Sequence, residues 1–153
     1  MADLQHTAQC EHLASLAILP LVYDNLVIVL LVNWEINLHP EVETWYVAIC
    51  GTDPETAALI EDAIDQLAEE GPCAGRPLVD RVKGSSYHNM KELRPPSRRA
   101  TEIRILFAFD PAREAIFLVG GDKSGNWQGW YRTAIPLADK RYTEHLEALK
   151  EQE

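Results

Sequence analysis

The stretch from Thr101 to Gly120 constrains the fold most. Ile103, Ile105, Phe107 and Phe109 alternate with Arg104, Leu106 and Ala108, the period-two pattern of a strand. Asp110-Pro111 follows, with proline placed for a type I turn, and Ala115–Gly120 returns as the antiparallel partner. Upstream, Tyr87–Arg94 reads as a further strand. A parallel crossover needs about a dozen or more residues between strands, so three strands in succession without a helix between them point to an antiparallel sheet.

The remaining elements are punctuated clearly. Val32–Leu38 alternates, with Trp34, Ile36 and Leu38 on one side and Asn33, Glu35 and Asn37 on the other. His39-Pro40 starts a helix in which Val42, Trp45, Tyr46 and Ile49 recur at helical spacing and which ends near Gly51. Asp53-Pro54 supplies an N-cap and a first-turn proline for a second helix, whose stripe is Leu59, Ile60, Ala63, Ile64 and Leu67 and which Gly71-Pro72 stops. Gly120, Gly121, Gly125 and Gly129 make the next segment permissive backbone. A last helix is expected after Pro136, with Ala138, Tyr142, His145, Leu146 and Leu149 along one side. Strand, two helices, three strands, helix is the order of an α+β domain, an antiparallel sheet with the helices packed against one face. The length, 153 residues, suits one such domain.

Residues 1–31 stand apart from the domain expected over 32–153. Their apolar runs Leu13–Val22 and Leu26–Val32 are broken by Ser15, Pro20, Asp24 and Asn25, too often for a membrane span, and the acidic start lacks the basic region of a secretory signal. Three options remain open: an element covering the domain, a segment seated on a partner, or a start placed too far upstream. Cys10, Cys50 and Cys73 are odd in number and have no CxxC spacing, which argues for a reducing cytoplasm and against a structural zinc site.

Net charge is −10, which taken alone opposes a nucleic-acid role. The average conceals a division. Residues 1–75 hold thirteen acids and no lysine or arginine, whereas residues 76–142 hold thirteen bases against seven acids. The densest part, Arg81 to Arg104, carries Arg81, Lys83, Lys91, Arg94, Arg98, Arg99 and Arg104. On adjacent antiparallel strands Lys91 or Arg94 and Arg104 are expected to share an exposed face, where a phosphate backbone is the fitting counter-charge. The competing expectation is a surface salt bridge from Arg104 to Glu92 or Glu102, which contributes little. Past the last strand, Lys123, Trp127, Trp130, Tyr131 and Arg132 interleave aromatics with bases on a glycine-rich segment, a composition suited to stacking unpaired RNA bases. Equally, the tryptophans are large enough to anchor the C-terminal segment on the core. No GxxxxGK, GxGxxG or GxSxG motif occurs, and the histidines show no metal-ligand spacing. His88 alone lies within the basic region, where an imidazole can shuttle protons.

Four blocks in order, Gly75-Arg-Pro-Leu-Val-Asp-Arg-Val-Lys-Gly84, His88-Asn-Met-Lys-Glu-Leu-Arg94, Glu102-Ile-Arg-Ile-Leu-Phe-Ala-Phe-Asp-Pro111 and Gly121-Asp-Lys-Ser-Gly-Asn-Trp127, resemble the HigB-type toxins of the RelE/ParE superfamily, in the branch akin to a phage-derived host-inhibition protein. The resemblance runs from about Val32 to the C-terminus. It implies a RelE-like fold and a type II toxin that enters the ribosomal A site and cuts mRNA without a metal or other cofactor. It implies phosphate contacts from Arg104 and Lys123, positioning of the strand by Lys91 and Arg94, and Tyr131, with Trp127 and Trp130 beside it, as the aromatic beyond the last strand. The reading of the basic region itself adds His88 to the catalytic candidates and Lys83, Arg98 and Arg99 to the RNA-binding ones. Expected partners are the ribosome with its message and a cognate helix-turn-helix antitoxin (HigA-like), in a toxin–antitoxin hetero-oligomer without membrane attachment. A second reading keeps the same fold and makes the chain a non-enzymatic inhibitor of a host protein such as gyrase or the transcription machinery.

Overall fold

A computed structural model describes residues 18–23, 26–31 and 33–153, with side chains over 33–153. Ile18–Tyr23 (β1) and Leu26–Leu31 (β2) pair antiparallel as a two-stranded sheet separate from the main one. The main sheet comprises Glu35–Leu38 (β3), Val79–Arg81 (β4), Lys91–Leu93 (β5), Ile103–Phe109 (β6) and Glu114–Asp122 (β7), in the spatial order β3-β7-β6-β5-β4. β4, β5, β6 and β7 run antiparallel to their neighbours, while β3 joins β7 in parallel. The α+β class is as expected, but the sheet is mixed. The two helices between β3 and the rest return the chain in a direction that makes the β3–β7 pairing parallel.

Both of those helices begin where the sequence places them. His39 Nδ1 accepts the amide of Glu41 at 3.2 Å ahead of Pro40–Thr52 (α1). Asp53 Oδ1 accepts the amide of Thr56 at 3.2 Å, and Oδ2 the Thr56 hydroxyl at 2.6 Å, ahead of Pro54–Glu70 (α2). Val42 of α1 and Ile60, Ala63 and Leu67 of α2 pack on Ile103, Ile105, Phe107, Ala115 and Phe117 of the sheet. Gly71 ends α2 at φ +57°, and a β-carbon there would lie 2.1 Å from Trp34 Nε1. Glycine is therefore required for both its backbone angle and its lack of a side chain.

The last helix departs from expectation twice. It spans Trp127–Glu151 (α3), starting at the Asn126 cap rather than after Pro136, and Pro136 lies inside it. It also covers the opposite face of the sheet from α1 and α2. Ala134, Ala138 and Tyr142 pack there on Met90, Leu106, Ala108, Ile116, Leu118 and Val119. The sheet is the middle of three layers, buried on both faces. That explains why β6 is apolar at nearly every position, with Leu106 and Ala108 as fully covered as Phe107. Residues expected as one long strand over Tyr87–Arg94 divide into a turn and the short β5. Asp139 of α3 holds the turn by accepting from the Ser85 hydroxyl at 2.5 Å and the Ser86 amide at 2.8 Å. β4, unforeseen in the sequence, is only three residues long and pairs with β5.

Candidate functional site

Register decides which of the basic residues meet. Lys91 pairs opposite Phe107, Glu92 opposite Leu106, and Leu93 opposite Ile105. Directly opposed residues share a face, so Glu92 and, two residues on, Arg94 face α3 along with Arg104, while Lys91 faces the α1/α2 side. Lys91 Nζ there lies 5.6 Å from the centre of the Phe109 ring. The expectation that Lys91 or Arg94 shares a face with Arg104 therefore holds for Arg94 and fails for Lys91. The face is also covered, not exposed: Arg104 retains 7% of its accessible surface.

The cover comes from a change of phase in β7. Between Leu106 and Phe107 of β6 the pairing shifts by a residue, Leu106 opposing Val119 and Phe107 opposing Phe117. This bulge puts Leu118 and Val119 both on the α3 face, and the alternation that resumes after it turns Gly120 toward α1 and Gly121 toward α3. A β-carbon on Gly120 would meet Trp45 of α1 at 2.4 Å, and one on Gly121 would meet Trp130 Nε1 of α3 at 2.4 Å. Gly121 pairs with Arg104. Its missing side chain lets the first turn of α3 close down beside the guanidinium. Gly120, expected as the end of the strand, and Gly121, expected beyond it, are both strand positions that admit a tryptophan from each layer, whereas Gly125 lies in the following turn and Gly129 within α3.

Under that turn lies a compact polar cluster. Tyr131 donates its hydroxyl to Glu92 Oε2 at 2.5 Å, and Lys123 Nζ lies 5.4 Å from the centre of the Tyr131 ring. Glu92 Oε1 is 3.6 Å from Arg94 Nε, and Arg94 Nη1 is 3.3 Å from Asp80 Oδ2, which also accepts from Arg76 at 2.6 Å. Arg104 Nη1 donates to the Ile103 carbonyl at 2.7 Å; its Nε is buried with no hydrogen-bond partner among the described residues. Burial, and then the bond to the Glu92 carboxylate, push the Tyr131 phenol well above its ordinary value, against a smaller opposing pull from Arg104 and Arg94. The Tyr131 hydroxyl therefore stays protonated. The Arg76 guanidinium holds the Asp80 carboxyl below the ordinary carboxylate range. Arg104 makes no salt bridge to Glu92 or Glu102, the competing expectation. Glu92 takes Tyr131 and Arg94 instead.

Arg94, Arg104, Lys123, Trp130 and Tyr131 thus converge, and Trp127 stands 57% exposed as the first residue of α3. The other candidates lie elsewhere. Arg98 is bonded to Glu55 at the start of α2, and Arg99 is exposed at φ +56° in the same loop. Lys83 and His88 are exposed in the turn before β5. That turn adjoins the Phe109 end of β6, about 17 Å along the strand from Arg104 at the usual rise per residue. His88 is not brought to the cluster. Glu92, absent from the expected set, is its central acceptor; the alternation of Lys91, Glu92, Leu93 and Arg94 held the signal, since it sets Glu92 and Arg94 on one face.

Residues 49–143, which include every part of this cluster, match the family described as phage derived protein Gp49-like (DUF891). The chain belongs to the Gp49-like family of HigB-type toxins. Two relatives from Mycobacterium tuberculosis support this. The protein named "Putative toxin HigB3" is 56% identical over 104 residues, 68% of this chain and 86% of its own length. The one named "Putative toxin HigB2" is 50% identical over 115 residues, 75% of this chain and 55% of its own length. No solved structure matches the chain. Membership makes this Gp49-like protein a toxin of a toxin–antitoxin system. No described helix is long and apolar enough to cross a membrane.

Proposed function

We propose that this protein is the toxin of a type II pair and a metal-independent, ribosome-dependent mRNA endoribonuclease that inhibits translation, with residues 32–153 as the toxin domain. The observation that supports this best is the unpartnered Nε of buried Arg104, set beside Tyr131 under the first turn of α3. A buried guanidinium nitrogen without an acceptor is costly, and a phosphate oxygen is an acceptor matched to it. In the reaction the 2′-hydroxyl attacks the adjacent phosphorus and the bond to the 5′-oxygen breaks, leaving a cyclic phosphate. Arg104 and Lys123 offset the charge growing on the phosphate. Arg94, Trp127 and Trp130 hold the strand, and Tyr131 reaches the reacting oxygens. Lys83, His88, Lys91, Arg98 and Arg99 contribute contacts outside the reacting centre. With no histidine in the cluster, the free protein is a poor ribonuclease and the ribosomal A site supplies the geometry of the message. In the cytoplasm a helix-turn-helix antitoxin silences the toxin by covering or distorting this face.

The test is translation of a defined message in a purified system, with 5′ ends mapped by primer extension. New ends inside the A-site codon that vanish with Arg104→Ala are expected. Arrest with intact message would replace cleavage by simple blocking. That second reading draws on the dispersal of Lys91, Arg98 and His88 away from the cluster.

A further inference from the structure

We propose that Glu92 is the proton-accepting partner of Tyr131, so that the phenol relays the proton of the attacking 2′-hydroxyl to a carboxylate buried behind it. The inference rests on the cleavage reading above and adds the base that reading lacks. Tyr131 sits between the rim and the interior: its ring is half-buried beneath Lys123, and its hydroxyl points inward to Glu92 Oε2 at 2.5 Å. Glu92 itself is 6% exposed and reaches the rim through Tyr131. A phenol kept protonated by burial and a neighbouring carboxylate cannot first ionise and then act as a base. It can give its proton to Glu92 as it takes another.

The balance is complete. The 2′-O–H bond breaks and its proton goes to the Tyr131 oxygen, while the Tyr131 proton goes to Glu92. The 2′-oxygen bonds to phosphorus, and the departing 5′-oxygen takes a proton from water. Glu92 then returns its proton to solvent through the same phenol. The groups facing Glu92 are mostly cationic. Arg94 lies on its own strand at 3.6 Å, Arg104 on β6 faces the same side, and Arg76 acts on it from before β4. Asp80, opposite it on β4, opposes them but is itself held by Arg76 and Arg94. Glu92 acts through Tyr131 and is a positioning residue by that measure, one whose positioning includes receipt of a proton.

The experiment measures single-turnover cleavage by the full chain on programmed ribosomes from pH 5 to 9, with Glu92→Gln and Tyr131→Phe beside the unaltered protein. The glutamine oxygen still accepts the phenol hydrogen bond but takes no proton. Glu92→Gln is expected to keep its melting temperature and ribosome affinity and to lose about 100-fold or more in rate. The acidic limb of the rate profile, where a carboxylate base is titrated away, is expected to disappear with it. Cleavage by Glu92→Gln at the unaltered rate, or with the acidic limb intact, overturns the proposal. Should Glu92→Gln fail to fold, Tyr131→Phe decides, because it severs the relay and leaves the carboxylate in place: loss of the acidic limb supports the relay, and its persistence overturns it. Absence of cleavage by the unaltered chain would overturn the cleavage reading, a result distinct from either.

Discussion

Arg104 occupies a position where an unbranched apolar side chain would lie at lower free energy. Its neighbours across the sheet are Gly121 and the α3 turn, its Nη1 is bonded to the carbonyl of Ile103, and its Nε is orphaned. Arg104→Met is therefore expected to leave stability unchanged or raise it by about 1 kcal/mol, since replacing an imperfectly paired buried charge by a well-packed hydrophobe is often neutral or favourable. Thermal melting checks this, and the primer-extension assay should show no cleavage. Tyr131→Phe has the opposite sign for stability. It leaves Glu92 buried without its phenol donor, at an expected cost of about 1 to 3 kcal/mol in a denaturant titration. At this scale the sequence named Arg94, Arg104, Lys123 and Tyr131, which the fold brings together. It did not reveal that Arg104 is buried or that Lys91 faces away, because a period-two pattern assigns alternate sides and does not say what covers each side.

β7 carries the information that turns a sheet into a site. Its bulge opposite Leu106 and Phe107 sets the phase that turns Gly120 toward Trp45 of α1 and Gly121 toward Trp130 of α3. Gly121→Ala would push Trp130 and the first turn of α3 off the sheet, for an expected loss of about 1 to 3 kcal/mol, as for other overpacked positions. A shift of tryptophan emission toward that of solvated indole should accompany it. Within α3, Pro136 is exposed and lacks the amide hydrogen that would bond one turn back. Pro136→Ala is expected to stabilise by about 1 to 2 kcal/mol, since the gain of a helical bond exceeds the lost restraint on the unfolded chain. Melting measurements with far-ultraviolet dichroism check it. The sequence marked the starts of α1 and α2 through His39-Pro40 and Asp53-Pro54 because capping is local chemistry. The start of α3 was obscured because its cap, Asn126, lies in a glycine-rich stretch that also reads as loop, and a proline ten residues farther on imitates a helix start.

Across the whole molecule, the acid-rich helices α1 and α2 lie on one side of the sheet and the candidate site under α3 on the other. The two signs of charge noted in the sequence meet at the edges of these layers, where Arg98 pairs with Glu55 of α2 and Arg141 of α3 with Glu41 of α1. Two carboxyls bind this arrangement at its ends. Asp80 ties Arg76 and Arg94 together. Asp122 is pushed up by burial, but the amides of Glu102 and Ser124 more than offset that and leave it lowered. Both groups are more acidic folded than unfolded, so their stabilisation is present above the ordinary carboxylate range, about pH 4, and is lost as pH falls through the folded values. The melting temperature is expected to drop below pH 4; calorimetry from about pH 5 to 2, with Asp122→Asn as the variant whose drop is smaller, checks it. The sequence by itself determined the α+β class, the β6–β7 hairpin and the capped starts of α1 and α2, all of which depend on neighbours within a few positions. Only the tertiary structure decided the parallel β3, the helix on each face and the Tyr131–Glu92–Arg94 cluster. Strand register, a one-residue bulge and the approach of Trp130 over Gly121 are contacts between distant segments, and no local pattern encodes which side of a sheet a later helix will cover.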